Sequence, residues 1–194
     1  TGGMGAISPV PFADRFFIEK VEREIIIPTI KGLVEEDIDY KGFIFIGLMV
    51  DNGNPKVIEY NVRMGDPETE VVIPRIKSDL LNLFRGIGNG SFSEIDFNIS
   101  EEVAATVMLV SSGYPEDYKK GKEMTGFENV DGSLLFHAGT KNDEEKIVTN
   151  GGRVLAVTSF GKDIDEAVNK SFDNAKKINF NGKYYRKDIG FDLL

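Results

Sequence analysis

The residues best suited to chemistry lie in one short stretch. From Lys56 to Arg63 the chain reads Lys-Val-Ile-Glu-Tyr-Asn-Val-Arg. In a β-strand, successive side chains point to opposite faces. Val57, Glu59, Asn61 and Arg63 are therefore expected on one face, and Ile58, Tyr60 and Val62 on the other. Glu and Asn oxygens are hard donors suited to a magnesium-like cation. An arginine one step further on can hold a phosphate oxygen with two parallel N–H donors. Phe43 to Val50, just upstream, is an almost unbroken apolar run, the mark of a strand buried on both faces. Polar side chains on so deep a sheet cost on the order of several kcal/mol unless they are partnered. Alternation alone leaves two readings open: a divalent-cation site, or a solvated face carrying a surface ion pair.

The elements that must position this strand can be read outward from it. Asp51-Asn52-Gly53-Asn54-Pro55 is turn chemistry, so Phe43–Val50 and Lys56–Arg63 are expected to pair as a hairpin. Downstream, Asp66 reads as a helix N-cap with Pro67 at the first helical position. Upstream, Phe17, Val21 and Ile25 recur at helical spacing after Asp14, and Pro28 should break or kink that helix. Ile30, Leu33, Val34 and Ile38 then continue a second apolar stripe. Another helix is expected from Ser78-Asp79, with Leu80, Leu81, Phe84 and Ile87 on one face. Gly86, Gly88, Gly90 and the polar run after them mark a boundary, giving domains at 1–97 and 98–194.

The second half reads as a small α/β unit. Strands are expected at Val103–Val110 and Leu134–Ala138, with a hairpin of Lys146–Thr149 and Val154–Thr158 turning at Asn150-Gly151-Gly152. A closing helix carries Ile164, Ala167, Val168, Phe172, Ala175 and Ile178, with Asp163 and Glu166 forming a capping box at its start. His137 lies on a predicted strand and reads as a satisfied core histidine.

Composition narrows the chemistry. The 194 residues carry a net charge of -9, which argues against nucleic-acid and anionic-membrane surfaces. With no cysteine, disulfides and thiolate chemistry are excluded, and the single histidine leaves any metal to oxygen donors. No apolar run is long enough to span a bilayer and no signal peptide is visible, so a cytoplasmic location is expected. The opening Thr1-Gly2-Gly3-Met4-Gly5 is a loop of the kind that sits between two elements, which suggests a chain cut from a longer one. Its amides can cradle an anion, or it can be a plain turn. P-loop and esterase motifs are absent.

Several blocks in register go further than any single residue. They are Thr1-Gly2-Gly3-Met4-Gly5-Ala6, Gly47-Leu48-Met49, Pro55 to Thr69, Phe136 to Lys141, Asn150 to Leu155, and Arg186-Lys187-Asp188-Ile189-Gly190. Together they resemble the phosphoribosylamine–glycine ligase (glycinamide ribonucleotide synthetase) family of ATP-grasp enzymes. The resemblance runs the length of this chain but covers only about the C-terminal half of the family's.

It implies an α/β (α+β) fold, the second half of an ATP-grasp core followed by a small C-terminal α/β domain. The implied reaction joins glycine to 5-phosphoribosylamine through glycyl phosphate, using ATP with Mg2+ or Mn2+. By resemblance Glu59 and Asn61 match metal ligands, and Arg63 and Asp66 match catalytic positions. Gly2 and Gly3 are implied near glycine and the amine, and Arg153, Arg186 and Lys187 near the sugar phosphate. Small molecules are the implied partners, with neither nucleic acid nor membrane, and a monomer is expected, a dimer being the alternative. Two other readings stay open: another ATP-grasp carboxylate–amine ligase, or, for the isolated fragment, an inactive scaffold module.

Overall fold

The computed structural model describes residues 2–193, so Thr1 of the opening loop lies outside the described residues. The chain forms two compact units. One is built from residues up to Ser8, Asp66–Lys77 and Ile99 onward, the other from Pro9–Gly65 and Ser78–Asn98.

The first unit is organised by β4 (Val103–Ser111), every residue of which is buried. It pairs antiparallel with β1 (Gly5–Ser8) on one side and with β8 (Arg153–Gly161) on the other. β5 (Ser133–His137) extends the sheet beyond β8, and the short β9 (Lys183–Tyr184) pairs with the end of β4. Every ladder is antiparallel. Helix α5 (Ile164–Lys177) covers one face, where Ala167 and Val168 pack with Val103 and Ala105, and Ala175 and Ile178 with Val107 and Leu109. Met108, Val110 and Ala156 on the opposite face pack with Met4. The expected capping box is present in part: Asp163 accepts from the Glu166 amide at 2.9 Å, while Glu166 accepts from Lys162 rather than from the cap residue.

The far end of α5 is closed by a side chain. Lys183 Nζ donates to the carbonyls of Ala175, Lys176 and Ile178, oxygens that a helix terminus otherwise leaves without partners. Burial pulls the lysine pKa down, while the negative end of the helix dipole favours its charge. Lys183→Met keeps the aliphatic stem and removes the donors. It is expected to lower stability by about 1–2 kcal/mol, read as an earlier midpoint in urea unfolding followed by circular dichroism.

One expectation is corrected in this unit. β7 (Lys146–Thr149) does not pair with β8; it forms a separate two-stranded ribbon with β6 (Thr140–Asp143). The reason lies at the base of the ribbon, where the Asn150 amide donates to Gly139 and the Gly139 amide to Arg153. The chain thus crosses itself at 150–153, and β8 enters the main sheet between β4 and β5. The compact units do not follow the chain order, because β1 and residues 66–77 group with the second half. β1 supplies an edge strand to β4, and Arg75 binds residues 66–77 to it. The Arg75 guanidinium is buried and donates to Ser8 Oγ (2.8 Å), Ser100 O (2.7 Å) and Glu102 O (3.0 Å).

In the second unit, the helix expected after Asp14 continues through Pro28 as one long helix. α1 (Arg15–Val21) and α2 (Ile27–Glu35) are joined without a break by a π-helical turn over Glu22–Ile26. Pro28 lacks an N–H and its ring crowds the carbonyl four residues back. The widened turn before it accommodates that misfit without ending the helix. Asp14 caps the start, accepting from the Phe17 amide at 2.8 Å.

α4 (Leu80–Asn89) begins at Asp79 as expected and stops at Gly90, whose φ is 81°. Its buried residues are Leu83 and Gly86, whereas Leu81 and Phe84 of the predicted apolar face are exposed. β2 (Phe45–Asp51) and β3 (Asn54–Asn61) form the predicted hairpin. It is not the deep sheet that the apolar run suggested. A two-stranded ribbon has few neighbours, and Met49, Ile58 and Tyr60 are all exposed.

Candidate active site

The hairpin carries the first group of candidate residues. β2 and β3 pair Gly47 with Glu59 but Leu48 with Val57, so Ile58 is an extra residue, a β-bulge. Cross-strand partners share a face, so Glu59 and Asn61 lie with Gly47 and Phe45. Val57 falls with Leu48 and Tyr60, contrary to simple alternation. Tyr60 marks the helix side, because its hydroxyl shares a hydrogen bond of 2.9 Å with Thr29 of α2. Glu59 and Asn61 therefore occupy the face away from the helix.

Their side chains meet, Asn61 Nδ2 donating to Glu59 Oε1 at 2.9 Å. Gly47 makes room for this pair, since a Cβ there would lie 3.0 Å from Glu59 Cγ. A carboxylate and an amide side by side on one exposed face form a hard-oxygen donor set that fits a magnesium-class cation. Arg63 departs from expectation: β3 ends at Asn61, and the exposed Arg63 guanidinium donates to the Met64 carbonyl at 2.9 Å.

The other unit carries a second group. Asp66 is not the N-cap of α3 (Thr69–Val72); Glu68 takes that place, after a turn that includes a cis Asp66-Pro67 bond. The Asp66 carboxylate is instead engaged by Arg153, with Arg153 Nη2 2.8 Å from Asp66 Oδ2. Nη1 of the same guanidinium donates to the Asp66 carbonyl (2.7 Å) and to the Gly3 carbonyl (3.4 Å). Gly3 has φ 73°, which favours glycine, and a Cβ there would stand 2.9 Å from Arg153 Nη1 and push the guanidinium aside. Gly3, Asp66 and Arg153, three residues widely separated in the sequence, thus form one cluster. Gly2 is exposed and outside these contacts.

Beside this cluster, Met4, Tyr114, Tyr184, Tyr185, Arg186 and Lys187 line a cleft of about 890 Å³. Arg186 and Asp188 form a two-pronged pair at 2.7 and 2.8 Å. That bonding holds the arginine pKa up and the Asp188 carboxyl below the usual range. Lys187 is exposed. His137, expected in the core, is exposed, bonded to Thr140 Oγ1 at 2.9 Å and stacked on Phe127. His137 is the last residue of the outer strand β5, on the face where Leu135 packs on the core, so its ring lies past the end of that core and meets solvent. Sequence reading missed Glu70, whose Oε2 is buried without a hydrogen-bond partner. Its place in the first turn of a short helix gave no hint of burial. It also missed Tyr114 and Tyr184, which are marked only by lying in this cleft.

Two family models match the chain. The ATP-grasp (A) domain of phosphoribosylglycinamide synthetase matches residues 1–69, and the C domain of the same enzyme matches 104–192. A phosphoribosylamine–glycine ligase of Chlorobaculum tepidum is 43% identical over 100% of this chain and 46% of its own length. The crystal structure of the Thermotoga maritima phosphoribosylamine–glycine ligase superposes with a TM-score of 0.85 at 39% identity, covering 97% of this chain and 46% of that one. The biotin carboxylase of Campylobacter jejuni shares the fold, with a TM-score of 0.62 at 12% identity over 97% of this chain and 42% of its own. The chain spans a little under half the length of these relatives.

Proposed function

Because the chain belongs to the phosphoribosylglycinamide synthetase family, and so to the ATP-grasp ligases, we propose that it carries the metal-binding strand and the sugar-phosphate surface of a ligase. That ligase joins glycine to 5-phosphoribosylamine in the cytoplasm at the expense of ATP. The observation that carries the reading is the Glu59–Asn61 pair, turned by a bulge onto the hairpin face away from the helix.

In this reading a carboxylate oxygen of glycine attacks the γ-phosphorus of ATP, ADP leaves, and glycyl phosphate forms. The amine nitrogen of 5-phosphoribosylamine then attacks the acyl carbon, phosphate departs, and the nitrogen loses its proton as the amide forms. The enzyme's work is positioning and charge neutralisation. Glu59 and Asn61 would hold magnesium or manganese, which when bound neutralises charge on the phosphates. Arg63 supplies a cation to the transferring phosphoryl group, since its exposed guanidinium pairs with no carboxylate among the described residues.

Asp66 and Gly3, with Gly2 beside it, face the amine and glycine. Arg153 is held by Asp66 and Gly3 and fixes the geometry of that corner. Arg186 and Lys187 in the tyrosine-lined cleft offer a dianionic sugar phosphate a fixed and a mobile cation. The ligands in this reading are small molecules.

The test is a magnesium titration of a full-length ligase carrying this sequence. Glu59→Gln keeps the size of the side chain and removes its charge. The magnesium concentration for half-maximal turnover is expected to rise about tenfold or more, with an unchanged circular dichroism spectrum. Normal turnover at unchanged magnesium dependence would remove the metal assignment.

A further inference from the structure

Glu70 is the second residue of α3, and its buried Oε2 has no hydrogen-bond partner. Three charged groups lie close enough to act on its charge: Asp66 and Glu68 from the turn before the helix, and Arg153 from β8, a strand that α3 packs against. The other strands that α3 packs against, β1 and β4, carry no ionisable side chain. One guanidinium therefore stands among three carboxyl groups, and it is bonded to Asp66. Burial pushes the Glu70 carboxyl above the usual range. The Glu70 backbone amide opposes that, Asp66 and Glu68 reinforce it, and Arg153 opposes it.

We propose that Glu70 is a positioning residue for the Asp66–Arg153 pair: as the neutral acid it leaves the guanidinium to Asp66, and as the carboxylate it draws on the same guanidinium and loosens the pair. A buried carboxylate without a partner is costly. The cation acting on it is Arg153, and a guanidinium drawn toward Glu70 relaxes its contacts to Asp66 and Gly3. The inference deepens the role given above to Asp66 and Arg153, but its test does not depend on turnover.

The test is a nuclear magnetic resonance titration of the 194-residue chain, following the Glu70 carboxyl carbon and the Arg153 Nε nitrogen. The Glu70 midpoint is expected above that of an ordinary glutamate, and the Arg153 signal should move with the same midpoint. Glu70→Gln should abolish that step and hold Arg153 at its low-pH position, while Glu68→Gln should keep it. An Arg153 signal that stays still through the Glu70 titration overturns the proposal, as does the same step persisting in Glu70→Gln. The wild-type titration decides the matter even if the variant fails to fold. If Asp66 and Arg153 proved irrelevant to turnover, this result would be unaffected, so the two failures are distinguishable.

Discussion

Arg75→Met is expected to cost the first unit about 3 kcal/mol, the largest stability loss of any single substitution considered for this chain. Methionine keeps much of the apolar volume and removes the three donors. What is lost are hydrogen bonds from a charged, buried group to Ser8 Oγ, Ser100 O and Glu102 O. Bonds of that kind contribute about 1.5–3 kcal/mol each, and less than their sum when they share one group. No carboxylate pairs with this guanidinium among the described residues, and burial pulls its pKa down. Its stabilising effect comes from joining three separate stretches of chain: β1, residues 66–77 and the segment entering β4.

Hydrogen exchange is the fitting measurement. The Ser100 amide, bonded to the Arg75 carbonyl at 2.6 Å, and the amides of the β1–β4 ladder should lose protection, while the β4–β8 ladder keeps most of its own. A uniform loss of less than about 0.5 kcal/mol would place Arg75 among ordinary surface residues.

Arg153→Met is expected to lower kcat/KM of a full-length ligase carrying this sequence by about 10²-fold or more, with little change in fold. The guanidinium makes three bonds, two to Asp66 and one to Gly3, and only a planar fork can make them together. Arg153→Lys should therefore rescue little, since a point charge on a flexible stem cannot hold both a carboxylate and two carbonyls in fixed directions. Kinetics on both variants, with thermal unfolding as the control, separate this from simple damage. If lysine restores full activity, charge alone matters at this position and the positioning role fails.

How much of this was legible beforehand depended on whether the controlling contact was local. β4, α4 and α5 could be read because periodicity, caps and turn residues lie within a few positions of one another. Asp79 and Asp163 each bond an amide three residues on, a distance that sequence reading handles well. The Glu59–Asn61 pair was legible for the same reason, being two residues apart on one strand.

Contacts between distant segments were not legible. Asp66 has every feature of an N-cap, yet its carboxylate goes to Arg153, which is 87 positions away. The turn at 150–152 looks like a hairpin, but the Asn150 amide bonds Gly139 and sends the chain across itself. Burial failed in the opposite direction. The run from Phe43 to Val50 was read as buried from its composition, whereas exposure depends on how many neighbours the strand acquires. The resemblance to the ligase family named candidate residues without saying which touch: Gly3, Asp66 and Arg153 meet, and Gly2 stands aside.

The bulge at Ile58 separates two things that a sequence usually joins, the identity of a residue and its presence. The Ile58 side chain is 62% exposed, so many residue types can occupy the position without disturbing a packed neighbour. Its backbone, by contrast, is the extra step that sets Val57 and Glu59, two positions apart, on opposite faces and bends the strand between them. Deleting that step would leave Leu48 opposite Val57 and Gly47 opposite Glu59, so the polar pair would keep its face while the local bend and added twist of the bulge were lost. The position should therefore tolerate exchange freely, and its deletion should straighten the ribbon without turning Glu59 and Asn61 toward the helix side.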